Sequence, residues 1–563
     1  MARNMSLFYF SISLWFTLFL VYSGIMSGSM LVLELEISEK MLGEVGFCMV
    51  LDWVSCMFVA SVAYISGCVT LFSAFYLSHE TFLKRFLIIL QLFVLSMMVL
   101  ILFPSYLGLM VGWDGLGVVS FLLVVYYMNN SSLSAGMITA MMNRVGDVCF
   151  LLTIGLMSSC LSYGFWSAFL FVLPFQGMLL LAGSITKSAQ VPFSAWLPEA
   201  MAAPTPVSTL VHSSTLVTAG VYVLIRFSDY LGEIEMFVLS SLSMLTMLLA
   251  GSSACVEVDI KKVVALSTLS QVGMMVFVVS MGANEVAFFH LLVHAFFKAL
   301  MFMCVGGVIF YSGSCQDGRL LGGSWFKLPF TTSFFLFSNL SLMGFPFLSG
   351  FYSKELIISL CLHENCSMMS FMSLLVSLML TICYSARMIK LVIEDTGSAM
   401  LFYCSVEDKY YLESMFLMGF GAVGASVLMQ AFLMSFVKVT WVKTDFFYCG
   451  FILIISIFLN SLLFYMVKAK VEKTFLVFSI LKMFLGSMWF LKSISGSLIS
   501  SKFLTMVSKW ISYVEMGLIR GYIWRLGVQN LFMTMSNNIR KINFNFVGLI
   551  LFYSLCFMSL VLL

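Results

Sequence analysis

From Leu7 onward the chain returns repeatedly to apolar runs of roughly 20 residues separated by short polar joins, the length an α-helix needs to cross a bilayer core. The strictly alternating strands of a transmembrane barrel are absent. Only 10% of the 563 residues are charged and 61% are hydrophobic, whereas soluble domains carry about 25% charged residues. A soluble globular chain is therefore excluded. The pattern gives an all-α polytopic membrane protein with about 15–16 transmembrane helices.

The first helix reads as Leu7 to Val21: Arg3 precedes the run, but no small-residue cleavage site follows, so a cleaved signal is not expected. Glu34, Glu36, Glu39, Lys40 and Glu44 mark an exposed connection, and the alternation in SMLVLELEIS suits a short hairpin. Helices are then expected from Asp52 to Leu77, Lys84 to Phe103, Ser105 to Met128, Met137 to Leu156 and Phe165 to Ser188. Others follow from Pro206 to Arg226 and near 236–255, 261–281, 285–312, 329–347, 367–391, 411–437, 446–466 and 475–491, with a last one from Phe546 to Leu562. Between Met488 and Phe544, lysines and arginines are interleaved with apolar residues, as in an amphipathic helix lying along a membrane surface or a basic loop under the positive-inside rule. From Lys468 to Lys541 there are eleven basic residues against two acidic ones.

Four of the eight prolines fall between Ile185 and Thr215, at Pro192, Pro198, Pro204 and Pro206. Each removes a backbone donor, so this stretch cannot be one straight helix. Broken backbone at membrane depth survives only when buried in protein or lining a watered cavity. The same stretch carries Lys187, Glu199 and His212, and an ionisable group at that depth is a functional-site hypothesis by default. A second interruption, MGFPFLSGFYSKE after Leu342, repeats the combination of proline, glycine and lysine. Paired interruptions point to internal repeats with a path at their interface.

Further charges lie inside apolar runs. Asp114 sits within GWDGLG, where it can exchange a proton or serve a helix–helix salt bridge. Arg144 and Asp147 are spaced i,i+3 and can pair on one face, with Arg144 the more structural of the two. Lys187 suits a switchable proton carrier, against the plainer reading of a lysine reaching to the interface. His290, His294 and Lys298 follow one another at i, i+4 and i+8 on one helix face, and imidazoles suit proton relay. Zinc binding there is disfavoured, because the glutamate of H-E-x-x-H is missing and Lys298 would repel a cation. The fourteen cysteines are scattered without a C-x-x-C pair, which argues against disulfides, iron–sulfur clusters and zinc. No phosphate loop, dinucleotide fingerprint, nucleophilic triad or haem motif is present, so no cofactor or metal is expected on this chain. The 44 methionines and 57 phenylalanines either fill lipid-facing volume or reflect a mitochondrial code with an enlarged methionine codon set.

GWDGLGVVSFLL (112–123), NRVGD (143–147), TKSAQVPFSAWLPEAMAAPTPVSTLVHSSTLVTAGVYVLIR (186–226), DIKKVVALSTLSQVGMM (259–275), HLLVHAFFKALMFM (290–303) and GFPFLSGFYSKE (344–355) resemble the antiporter-like subunits of respiratory complex I. LDWVS (51–55) and FYLSHE (75–80) are also similar. Within that family, the length and the basic C-terminal segment look more like chain 5 than like the shorter chains 2 and 4.

The resemblance implies N-terminal transmembrane helices (1–104), two antiporter-like inverted repeats (105–256 and 257–437), additional transmembrane helices (438–486), a lateral amphipathic helix (487–544) and a terminal transmembrane helix (545–563). It implies a proton path through Asp114, Lys187, His212, His290, His294, Lys298 and a distal lysine aligned near Glu413 and assigned to Lys409, supported by the Arg144–Asp147 pair. Many relatives carry Glu where this chain has Asp114. It further implies a translocase of the respiratory chain in the mitochondrial inner membrane, coupling electron transport to ATP synthesis. Antiporter-like chains 2 and 4 and membrane lipids would be its partners, and no nucleic acid would be. NADH, FMN, iron–sulfur clusters and ubiquinone would be used elsewhere in the complex. A stand-alone sodium–proton antiporter, a paralogous chain 2 or 4 and a purely structural scaffold are the alternatives.

Overall fold

The structure is a computed structural model that describes residues 2–25, 31–38, 45–158, 174–363, 367–393, 407–436, 482–491, 493–494, 499–514 and 527–541. The chain forms two compact units, residues 1–492 and 493–563. Helices expected over 446–466 and from Phe546 to Leu562 lie outside the described residues, as do residues 475–481 of the one expected over 475–491.

The first unit opens with α1 (Ala2–Ile25), followed by the one β element among the described residues. Strands β1 (Leu31–Ser38) and β2 (Val45–Leu51) pair antiparallel, with Leu31 opposite Leu51 and Leu35 opposite Phe47. The alternation expected for β1 is thus matched by a second strand in VGFCMVL, which had no turn signal of its own. Helices α2 (Trp53–Tyr76), α3 (Leu83–Leu102), α4 (Tyr106–Val124) and α5 (Asn130–Ser158) follow in short succession. Gly112 lets α4 approach α3, since a Cβ there would stand 2.6 Å from the Leu100 backbone nitrogen.

The proline-rich stretch is broken as its composition demands. Helix α6 (Pro174–Lys187) stops at Lys187, Ala189 takes a positive φ of 54°, and the Val191–Pro192 peptide is cis. Short helical pieces follow, including α7 (Trp196–Glu199) and α8 (Thr205–Val207). The sequence suggested one helix from Pro206 to Arg226, but the structure inserts a π-helical segment over Ser208–Thr215 before α9 (Leu216–Arg226). The cause is the run STLVHSST. Hydroxyls of Ser208, Thr209, Ser214 and Thr215 donate to carbonyls three to five residues back, at 2.7–3.0 Å. Such bonds compete with the backbone ladder and favour a widened turn.

Helices α10 (Glu233–Ala254), α11 (Ile260–Ser280) and α12 (Asn284–Tyr311) come next, then α13 (Ser324–Lys327) and α14 (Pro329–Met343). Gly344 ends α14 at φ 82°, a conformation glycine adopts without strain. After Pro346 the chain re-enters as α15 (Ser349–His363), followed by α16 (Met368–Ile393) and α17 (Lys409–Phe436). Among the described residues, eleven helices are long and apolar enough to cross a membrane. In α12 the most apolar window is entirely buried, whereas α1 and α5 bury about a third or less of theirs. Helix α12 is therefore the axis of this unit, packed by α2, α11, α14, α15, α17 and the π-helical segment.

In the second unit the described helices are α18 (Ile499–Ile511) and α19 (Gly527–Lys541). Both expose large apolar side chains, among them Phe503, Trp510, Leu531 and Phe532. The segment expected as one lateral helix is described only in these pieces.

Candidate functional site

The site is a set of buried charges and imidazoles strung along the interrupted helices and α12. It begins on α4 and α5. Asp114 is half-buried, and its Oδ1 is enclosed without a hydrogen-bond partner. One turn apart on α5, Arg144 donates to Asp147 at 3.1 Å, with the Asp147 carboxylate buried and 57% of the Arg144 side chain exposed. Trp113, next to Asp114, is completely buried and meets the Phe150 ring edge-on at 4.5 Å.

Lys187 ends α6 and is fully buried. Its Nζ donates to the Trp113 carbonyl at 2.6 Å and lies 3.8 Å from the centre of the Trp113 ring. No carboxylate comes within 4.0 Å of it among the described residues. Asp147 and, more weakly, Asp114 act on it through space. Lys187 is thus seated on tryptophan, with Asp147 and Asp114 beyond ion-pair reach.

His212 lies in the π-helical segment, buried, with neither ring nitrogen hydrogen-bonded and its ring 6.1 Å from that of Trp196. His290, His294 and Lys298 are each wholly buried on α12. His290 and His294 stand 6.3 Å apart, centre to centre. His290 is held at both nitrogens, Nδ1 by Ser353 Oγ at 2.9 Å and Nε2 by Gln271 Oε1 at 3.2 Å. Both nitrogens of His294 lack partners. Lys298 donates to Ser267 Oγ at 2.5 Å.

At the second interruption, Lys354 is buried and donates to the Leu342 carbonyl at the end of α14, where a cation complements the helix dipole. It acts electrostatically on His290, His294 and Lys298. Both oxygens of the adjacent, buried Glu355 have no hydrogen-bond partner. Sequence reading noticed this break but placed the distal carrier at Lys409. The structure puts Lys409 exposed at the first residue of α17, beside an equally exposed Glu413, and brings Lys354 to the buried group instead. The usable signal was the likeness of the two breaks: Lys187 and Lys354 both sit where an interrupted helix meets a proline. Lys261, buried near the start of α11, was also passed over as part of DIKK.

Among the described residues no group of three His, Cys, Asp or Glu side chains could hold a metal ion. What the arrangement can do is accept and release protons in water-poor surroundings.

The family described as NADH:quinone oxidoreductase/Mrp antiporter, TM, matches residues 104–381, and that described as NADH dehydrogenase subunit 5 C-terminus matches residues 384–563. NADH-ubiquinone oxidoreductase chain 5 of Locusta migratoria is 40% identical over 474 residues, 80% of each chain. Its counterpart in Anopheles gambiae is 45% identical over 394 residues, 68% of this chain and 67% of that one. Among solved structures, a chain of the archaeal membrane-bound sulfane sulfur reductase superposes with a TM-score of 0.67 at 19% identity, covering 81% of this chain and 94% of that one. A chain of the Mrp complex from a Dietzia species does so with a TM-score of 0.63 at 22% identity, covering 97% and 65%. At those identities the two structures speak for an antiporter-like fold alone. With both domain signatures in sequence and such identity to curated relatives, the chain belongs to the NADH-ubiquinone oxidoreductase chain 5 family.

Proposed function

We propose that this chain is a core membrane-arm subunit of proton-translocating NADH:ubiquinone oxidoreductase. It moves protons across the mitochondrial inner membrane while electrons pass from NADH to ubiquinone elsewhere in the complex. FMN, iron–sulfur clusters and ubiquinone belong to other subunits, and antiporter-like chains 2 and 4 are its neighbours. The exposed apolar side chains of α18 and α19 support a lateral element that lies against such neighbours or the membrane surface.

One observation carries the proton-path reading. Lys187, Lys298 and Lys354 are buried, and each Nζ rests on a neutral oxygen with no carboxylate within 4.0 Å among the described residues. Charges that serve as helix glue are found with opposite partners, because an unpaired ion in low dielectric is expensive. Lysines held by carbonyls and a hydroxyl can instead lose a proton and keep their seat. The path runs from Asp114 and Asp147 through Lys187 to His212, His290, His294 and Lys298, and on to Lys354.

Two experiments test this. Native-gel separation of solubilised mitochondrial membranes, with mass spectrometry of the band holding this chain, will find it in a large assembly with NADH dehydrogenase activity. Recovery alone, or only with other antiporter-like chains, would support the sodium–proton antiporter instead. In the assembled complex, Lys187→Met will lower the protons moved per electron pair, and an unchanged ratio would refute the path.

A further inference from the structure

Three histidines lie on the proposed path, and their surroundings differ. His212 and His294 have no hydrogen-bond partner at either nitrogen, whereas His290 has one at both. The two partners are chemically unequal. Gln271 Oε1 can only accept, so it takes the Nε2 hydrogen of His290. Ser353 Oγ is a hydroxyl, which can either donate or accept. It also has an alternative of its own, the Gly350 carbonyl at 3.3 Å.

These contacts leave His290 fully partnered in either protonation state. In the neutral imidazole, Nε2–H donates to Gln271 and the Nδ1 lone pair accepts the Ser353 hydroxyl. When a proton arrives at Nδ1, the new N–H donates to Ser353 Oγ, and the serine hydrogen turns onto the Gly350 carbonyl. No hydrogen is lost or stranded in either state. Without the hydroxyl, the imidazolium would hold a buried, unpaired N–H, which costs more than an unfilled acceptor on the neutral ring.

Position gives the contact its consequence. Ser353 precedes Lys354 in the first turns of α15, just after the Gly344–Pro346 break. His294 stands 6.3 Å from His290 on its own helix, Lys354 on α15 acts on both imidazoles, and Lys298 acts on His294; the Tyr384 hydroxyl of α16 meets Ser270 at 3.3 Å. Of the two groups hydrogen-bonded to His290, Ser353 on α15 reverses its bond by turning one hydroxyl, whereas Gln271 on α11 would have to turn its whole amide.

We propose that Ser353 is a positioning residue whose hydroxyl follows the protonation of His290, turning between His290 Nδ1 and the Gly350 carbonyl, and so ties that imidazole to the interrupted helix carrying Lys354. The proposal rests on the proton-path reading above. Its test compares Ser353→Thr with Ser353→Val, which have the same shape and differ only in the hydroxyl, in the assembled complex within sealed membrane vesicles. Proton uptake per electron pair is measured beside electron flux in uncoupled vesicles. Threonine will keep the wild-type ratio, while valine will lower it with uncoupled flux unchanged. Equal ratios for the two variants would overturn the role of Ser353, and a normal fall with Lys187→Met in the same assay would leave the path itself standing. If Lys187→Met also leaves the ratio unchanged, the path fails and the proposal falls with it. Should valine prevent assembly, Ser353→Ala and Ser353→Gly give the same comparison against threonine without added bulk.

Discussion

Replacing Asp52 by alanine strands the Arg226 guanidinium. The two residues are 174 positions apart and meet at 2.6 Å, where the chain passes from β2 into α2 and where α9 ends. Their side chains are only 17% and 12% exposed, so solvent screens the pair weakly. Arg226 keeps one other partner, the Tyr222 hydroxyl at 3.0 Å, which in turn donates to the Ile101 carbonyl of α3. Breaking a buried pair by removing one member costs about 3–5 kcal/mol, most of it from the orphaned charge. Asp52→Ala should sit towards the upper end of that range. Arg226→Met should sit lower, because the Asp52 carboxylate left behind lies at the N-terminus of α2, where the helix dipole offsets about 0.3–1 kcal/mol. The double variant leaves no stranded charge and keeps an apolar stem against Tyr222, so its cost falls below that of either single variant. Since about 1–2 kcal/mol already changes protein abundance several-fold, the assay is the amount of fully assembled complex on native gels, followed through a temperature series. Each single variant will deplete the complex and lower its dissociation temperature, and the double will recover above both. A double variant no better than the poorer single one would refute the reasoning.

Lys354→Met will lower the protons moved per electron pair with electron flux in leaky vesicles retained, whereas Lys409→Met will leave that ratio unchanged. Trp113→Leu, which removes the ring beneath Lys187, will reduce coupled proton transport and shift its pH profile, and Trp113→Phe will recover part of both, since a cation over a desolvated ring gains about 2 kcal/mol. Gly112→Ala will push α4 away from the Leu100 backbone at a cost of about 1–3 kcal/mol, seen as less assembled complex and reduced coupled transport through displacement of Asp114.

Much of the fold was legible because apolar run length and proline position are strong local signals. The breaks after Lys187 and Met343 fall where Pro192 and Pro346 require them. The i,i+3 spacing of Arg144 and Asp147, and the i,i+4,i+8 spacing of His290, His294 and Lys298, fix shared faces before any tertiary contact is known. What could not be read depends on distant partners. Nothing local says that Lys187 will choose the Trp113 ring and carbonyl over the neighbouring Asp114, because that choice is made by the packing of α4, α5 and α6. That Lys354 is buried while Lys409 stands exposed at the start of α17 is likewise set by tertiary packing, which an alignment register does not carry. The π-helical segment was missed because a Ser/Thr-rich run reads as merely polar, although its hydroxyls rewrite the helix ladder.

The seat of Lys298 has an electrical consequence. It is the fifteenth of the 28 residues of α12, close to the middle of that helix, and it is wholly buried with its Nζ donating to Ser267 Oγ. Among the described residues no carboxylate lies within 4.0 Å of it. A proton reaching such a site would have crossed part of the voltage drop across the membrane. Carrying one elementary charge through the whole membrane is worth about 2.3 kcal/mol per 100 mV, so a site halfway across feels about half of that. On the proposed path, a proton held by Lys298 would register the back-pressure of the gradient, and its occupancy would fall or rise with the energised state of the membrane.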